Sequence, residues 1–155
     1  MNGKLRPIHL SLPMQLLRAR ESAMAQFRPM LRAHDLTEQQ WRVIRVLAAE
    51  EASAKNSVDA SELADTCFLL PPSLSRILQA LQRDGLVQRR LDPNDQRRSF
   101  ISLTPKGRRK FRAVSPDSEA LYQDIEQQFG GRRLDQLYQL LEELSSTLSP
   151  GLSGS

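Results

Sequence analysis

The sequence predicts a mainly α-helical fold carrying one small β-hairpin. Three observations lead there. Apolar residues recur at steps of three and four along most of the chain, which is the helical period. The period shortens to that of a strand only between Leu86 and Leu103. Helix-starting and helix-stopping residues fall at the edges of the periodic runs.

The first helix is predicted from about Ser11 to Ala33, with Leu12, Leu16, Ala19, Ala23, Phe27 and Met30 as its stripe. Pro29 is expected to kink it, because proline lacks an N–H and its ring meets the preceding turn. The second helix covers about Glu38 to Glu50. Thr37 and Gln40 have capping-box spacing, and Trp41, Ile44, Leu47 and Ala48 give the buried face. Glu51 to Asp59 reads as a polar connector, and a short third helix lies near Ala60 to Thr66. The fourth helix opens at Pro71 or Pro72 and stops by Gly85, with Ile77, Leu78 and Leu81 facing the core.

Leu86 to Arg90 and Ser99 to Leu103 are strand candidates joined by turn chemistry at Asp92, Pro93, Asn94 and Asp95. Thr104 then Pro105 open a fifth helix, as cap and first-turn residue. It reaches about Phe129, with Pro116 as the place for a bend, and Gly130 and Gly131 end it. A last helix, Arg132 to Leu148, carries Leu134, Leu137, Leu140, Leu141, Leu144 and Leu148 on one face. Ser149 to Ser155 reads as a frayed tail.

Composition removes several function classes. The 155 residues suit one domain, alone or with an oligomerisation element, and 39% hydrophobic content sustains a modest core. No run approaches 18 uncharged apolar residues, so no membrane span is expected. The first dozen residues carry Lys4 and Arg6 but no apolar core of a secretory signal. The single cysteine, Cys67, excludes an intramolecular disulfide and fits a reducing, cytoplasmic compartment. With His9 and His34 it makes no zinc spacing. No nucleophile pair, phosphate-cradling glycine loop or metal-ligand set is present, so neither an enzyme nor a cofactor is expected.

Charge is uneven. Between Pro71 and Arg112 stand eleven basic residues and three acids, a net +8 within a chain of +4, so the rest is acidic. A basic middle suits a polyanionic partner, and a merely solvated charged face is the alternative.

The order helix, helix, helix, hairpin is that of a winged helix-turn-helix, in which one helix enters the DNA major groove and presents its N-terminal residues to base edges. Here that helix opens with Ser73, Ser75 and Arg76, and Gln79 follows one turn on. A serine at a helix start also serves simply as a cap. At the hairpin tip, Arg97 and Arg98 are placed to enter a narrow minor groove. Asp95 is expected to orient Arg97 through a charge-assisted bond, bidentate if the guanidinium fork is engaged. A surface ion pair of little consequence is the alternative.

These residues resemble the MarR family of bacterial transcriptional regulators. Asp95 and Arg97, followed by Leu103, Thr104 and Gly107, match the family's wing signature: Asp-x-Arg, then Leu-Thr-x-x-Gly. The run from Ser75 and Arg76 to Gly85, Leu86 and Val87 is similar to the recognition helix, with Ser75 where threonine is commoner. The likeness extends over about residues 10–148. Within the family, Leu16 to Glu21, Phe27 to Pro29, Leu36 to Arg42 and Asn94 to Arg97 resemble the branch that controls homoprotocatechuate degradation.

The resemblance implies a homodimer with a winged-helix region over about residues 36–104, dimerisation helices over about 10–33 and 105–148, and a flexible tail at 149–155. It implies a repressor that binds a pseudo-palindromic double-stranded DNA operator and associates with the nucleoid when bound. It also implies release by a small aromatic acid lodged between the dimer helices and the winged region. The leucine face of the last helix argues separately for a dimer, since left exposed it would form a large apolar patch. Packing on its own chain is the alternative.

On a helical wheel starting at Leu12, Arg20 falls at about 80°, inside the apolar arc of Leu16, Ala23, Phe27 and Leu31. A guanidinium there calls for an anion. It is therefore the candidate anchor for an effector carboxylate, with Ser11, Leu16 and Trp41 as further candidate effector contacts. A structural pair of Arg20 with an acidic side chain across the dimer and a plain core role for Trp41 are the alternatives. Cys67 precedes Phe68, Leu69 and Leu70 and is expected to be buried and inert. A redox input at Cys67, or no effector at all, remains the other reading of the regulator.

Overall fold

The computed structural model describes residues 3–149. The tail expected at 149–155 lies, from Pro150 onward, outside the described residues. After a single 3-10 turn at Ile8–Leu10, the elements run α1 (Leu12–Ala33), α2 (Glu38–Ala52), β1 (Val58–Asp59), α3 (Ala60–Thr66), α4 (Pro71–Arg83), β2 (Val87–Leu91), β3 (Ser99–Leu103), α5 (Pro105–Phe129) and α6 (Gly131–Leu148). They fall into two compact units divided between Asp117 and Ser118.

Local chemistry sets most boundaries of the first unit. The Thr37 hydroxyl accepts from the Gln40 N–H at 3.1 Å, and the Gln40 side chain accepts from the Thr37 N–H at 3.0 Å, so the capping box forms in both directions. Gly85 takes φ 73°, the left-handed conformation that ends α4 without steric cost. Thr104 Oγ1 accepts from the Gly107 N–H at 3.0 Å and donates to the Gly85 carbonyl at 2.6 Å. One hydroxyl thus caps α5 and ties it to the end of α4.

Both internal prolines sit inside unbroken helices, Pro29 in α1 and Pro116 in α5. The carbonyls they deprive of a partner belong to Ala25 and Arg112. Both residues are exposed.

The expected hairpin is part of a three-stranded antiparallel sheet in the order β1-β3-β2. The connector read as purely polar ends in β1, where Val58 lies opposite Ile101 and Asp59 opposite Phe100. Two residues are too few to show a period of two, which is why the strand escapes sequence reading. Ser99, Ile101 and Leu103 of β3 point into the core, and of β2 only Val87 does.

The core joins Leu31, Trp41, Ile44, Leu47, Leu63, Leu74, Leu78, Leu81, Ile101 and Val114, drawn from α1 through α5. At about 1.5–3 kcal/mol for each fully buried large aliphatic or aromatic side chain, this cluster holds α4 rigidly against α2, α3 and the sheet. In the second unit, no residue of α6 is buried, and Leu137, Leu140, Leu141 and Leu148 are exposed.

Candidate nucleic-acid interface and effector site

α4 is divided lengthwise. Leu74, Ile77, Leu78 and Leu81 are buried, and the opposite stripe of Pro72, Arg76, Gln79 and Arg83 is exposed. At 100° per residue these four fall within about 60° of one another. Ser73 and Ser75 flank the stripe half-buried. Arg76 and Gln79 therefore stand where expected, with the serines at the margin. Arg83 was missed, although its position seven residues beyond Arg76 on a helix is itself the signal. Among the described residues its carboxylate neighbour is Asp84, at 3.9 Å.

The turn from β2 to β3 is built by main-chain and Asx bonds. Asp92 Oδ1 accepts from the Asn94 N–H at 2.9 Å, and Asp95 accepts at Oδ1 from the Arg97 N–H at 3.0 Å. Asp95 Oδ1 also accepts from Arg97 Nε at 3.2 Å. The contact uses Nε alone and is not the bidentate fork, which leaves the outer guanidinium nitrogens in solvent. The Arg97 side chain is 92% exposed.

Arg98, expected as a second probe, is directed elsewhere. Its Nε donates to Asp59 Oδ2 at 3.2 Å, and its guanidinium lies 5.5 Å from the centroid of the Phe100 ring. It clasps β1 to β3, because the tertiary fold places a carboxylate within its reach.

Arg20 too has a partner within the chain. The wheel places it in the apolar arc, yet its side chain is 45% exposed and it pairs with Glu38 of the same chain. Only Phe27 and Leu31 of that arc are buried, while Leu12 and Leu16 are exposed. Glu38 also accepts from Arg28 at 3.3 Å and from Arg42 at 2.9 Å. Arg28 forks onto Glu21 at 2.9 and 3.1 Å, which holds the Glu21 carboxyl below its ordinary pKa. Three guanidiniums thus converge on one carboxylate where α1 meets α2. Arg42 extends the chain of bonds, donating to the Cys67 carbonyl at 2.9 Å.

The other effector candidates do not join this cluster. Trp41 is a core residue stacked on Phe111, with centroids 5.7 Å apart and planes 24° apart. Ser11 caps α1 without a side-chain bond. A cavity of about 260 Å³ between the end of α2 and the start of α5 is lined by Ala48, Glu51, Ala52, Leu103, Arg108, Phe111 and Arg112, and by none of the four candidates. Cys67 is fully buried, and burial pushes its thiol up to about 11, the charge of Arg42 offsetting only part of that. Such a thiol is a poor thiolate source, so the site gives no support to a redox input. Among the described residues no group of acids, histidines and cysteine could hold a metal ion, and no helix is long and apolar enough to cross a membrane.

Comparison with known proteins places this arrangement. The family model described as MarR family matches residues 34–98. The homoprotocatechuate degradative operon repressor of Escherichia coli is 45% identical over 136 residues, 88% of each chain. The chain belongs to the MarR family. As a member, it is a transcriptional regulator and not an enzyme. Among solved structures, the transcriptional regulator PA4135 is 46% identical with a TM-score of 0.79, over 90% of this chain and 96% of that one. NadR, solved in complex with 4-hydroxyphenylacetate, is 38% identical with a TM-score of 0.74 over the same shares.

Proposed function

We propose that this MarR-family protein is a homodimeric repressor that binds a pseudo-palindromic operator and leaves it when a small aromatic carboxylic acid binds. Its winged region, about residues 36–104, reads DNA, and the helices at about 10–33 and 105–148 pair two chains. It acts in the cytoplasm on an aromatic-compound catabolic operon. The observation that carries the reading is the lengthwise division of α4. A rigidly packed helix with Arg76, Gln79 and Arg83 in solvent is what a major groove accepts. Arg97, held at its base by Asp95, supplies a minor-groove probe.

Exposed apolar residues support pairing of chains. Leu12, Met14, Leu16 and Leu17 in one unit, and Leu137, Leu140, Leu141 and Leu148 in the other, are uncovered in a single chain. A two-fold dimer covers such faces and matches a palindromic site.

The effector part rests on Glu38. Three arginines already fitted to a carboxylate form a site in which a ligand carboxylate replaces the side chain. Release of Arg42 from Glu38 then loosens its hold on the Cys67 carbonyl, at the turn leading into α4. Two relatives point the same way: one named for an operon of aromatic degradation, the other solved with a phenylacetate.

Footprinting upstream of the protein's own gene, with sedimentation at micromolar concentration, tests the first part. A protected pseudo-palindrome and a dimer are expected. A monomer, or equal affinity for random duplexes, refutes the reading. Phenylacetates should release the wild type from that site. Arg20→Ala should hold DNA within about twofold of wild type yet no longer respond, and an unchanged response refutes the effector assignment.

A further inference from the structure

The turn between α3 and α4 exposes large apolar side chains that the core has no use for. Phe68 is 86% and Leu70 74% exposed, whereas Cys67 is buried and Leu69 packs against the core. The turn is firmly held: the Phe68 N–H donates to the Asp65 carbonyl at 3.1 Å and the Leu69 N–H to that of Ala64 at 2.9 Å. Phe68 sits at φ 53°, a left-handed position that glycine occupies without strain. A phenyl ring kept there in solvent costs backbone energy and returns no packing. The conformation itself is the C-terminal stop of α3, as at Asp35 and Ala54, which end α1 and α2 at φ 57° and 65°; what the fold leaves without a use is the exposed ring.

The start of α4 departs from an ordinary helix N-terminus in the same sense. Its cap residue is Leu70, with no side-chain cap bond, and Pro71 and Pro72 bring no N–H. The backbone donors with which helix ends hold phosphates are largely missing. Phe68, Leu70, Pro71 and Pro72 instead form an apolar tip that leads directly into the stripe of Arg76, Gln79 and Arg83. That cationic continuation favours a nucleic-acid partner over a protein.

The apolar feature of a major groove is the thymine C5-methyl group. We infer that Phe68 and Leu70 read thymine methyls at the outer edge of each half-site, ahead of the bases read by Arg76. The inference rests on the DNA-binding function proposed above.

Operators carrying uracil in place of single thymines test it, since uracil keeps every hydrogen-bonding group and lacks only the methyl. Burying one methyl is worth about a fourfold change in affinity. With wild-type protein, one or two uracil positions per half-site should weaken binding by about that factor. Phe68→Ala and Leu70→Ala should bind the thymine operator more weakly and lose the penalty at those positions. Both side chains are exposed, so melting temperatures should hold. Phe68→Gly, which relieves the strain, should melt no lower than wild type while still losing the penalty.

No uracil penalty in the wild type, or a full penalty in both alanine variants, overturns the inference. So does a variant with undiminished operator affinity but an altered oligomeric state, which would assign the tip to a protein contact. Failure of the underlying reading looks different, because wild-type protein would then not prefer the thymine operator over a scrambled duplex.

Discussion

Arg42 donates from Nη1 to the main-chain carbonyl of Cys67 and from Nη2 to Glu38, both at 2.9 Å. One side chain therefore connects the α1–α2 cluster to the turn that leads into α4. It is half-buried, where a hydrogen bond from a charged donor has more weight than at the surface.

Arg42→Ala leaves the Cys67 carbonyl without its side-chain donor and removes one partner of Glu38. The expected loss is about 1.5–3 kcal/mol, read by urea unfolding. Operator affinity should fall as well, because the turn before α4 is released. Affinity that stays at the wild-type level with fully folded protein would show that the bond serves stability alone.

Arg76→Ala and Arg97→Ala should weaken DNA binding in different ways. Loss of Arg76 should cost about 1–3 kcal/mol and relax base choice near the half-site centre. Loss of Arg97 should matter most where the flanks are AT-rich and the minor groove narrow. Arg98→Ala should act on the wing instead, costing at most about 1 kcal/mol of stability through its exposed pair with Asp59. Quantitative gel shifts on flank and centre variants separate the three, and equal, sequence-blind losses would show the roles to be misassigned.

Asp59 gives a pH-dependent contribution. Burial raises its pKa, but the Ser61 N–H, Arg98 and the Glu62 N–H outweigh burial and hold it below the 3.8 of a free aspartate. A depressed pKa means stability that is present at neutral pH and lost as the pH falls from about 3.8 through the folded-state value. Asp59→Asn keeps a capping oxygen but loses the charge facing Arg98, so it should cost at most about 1 kcal/mol at pH 7, and the gap from wild type should narrow as the pH falls below 3.8. A difference that stays constant across that range would contradict this account.

Gly107 stands where a Cβ would overlap the Leu86 carbonyl oxygen and crowd Leu103. Gly107→Ala should cost about 2–3 kcal/mol, as the helix is forced off the strand start. Thr104→Ala, which removes the cap but makes no clash, should cost about 1 kcal/mol. Thermal melts that rank the two in the reverse order would contradict the overlap argument.

These variants also show how far the sequence reaches. The Leu-Thr-x-x-Gly signature was legible as a motif, and its reason is the overlap at Leu86. The helical wheel set Arg20 among apolar residues but could not say what lies opposite. Glu38 meets it across the α1–α2 junction, and Leu12 and Leu16 of the arc are exposed. Arg98 looked equivalent to Arg97 because the two are adjacent. Asp59, 39 residues away, separates their roles.

The sequence by itself determined the helices, most of their caps and stops, the wing turn, and Arg76 and Gln79 on the exposed stripe of α4. Those depend on side-chain period and on bonds between residues a few positions apart. Only the tertiary structure decided the pairing of β1 with β3, the partners of Arg20, Arg42 and Arg98, and the depth at which Cys67 is buried. Those are contacts between distant segments, and a contact of that kind exists only once packing has fixed where each segment lies.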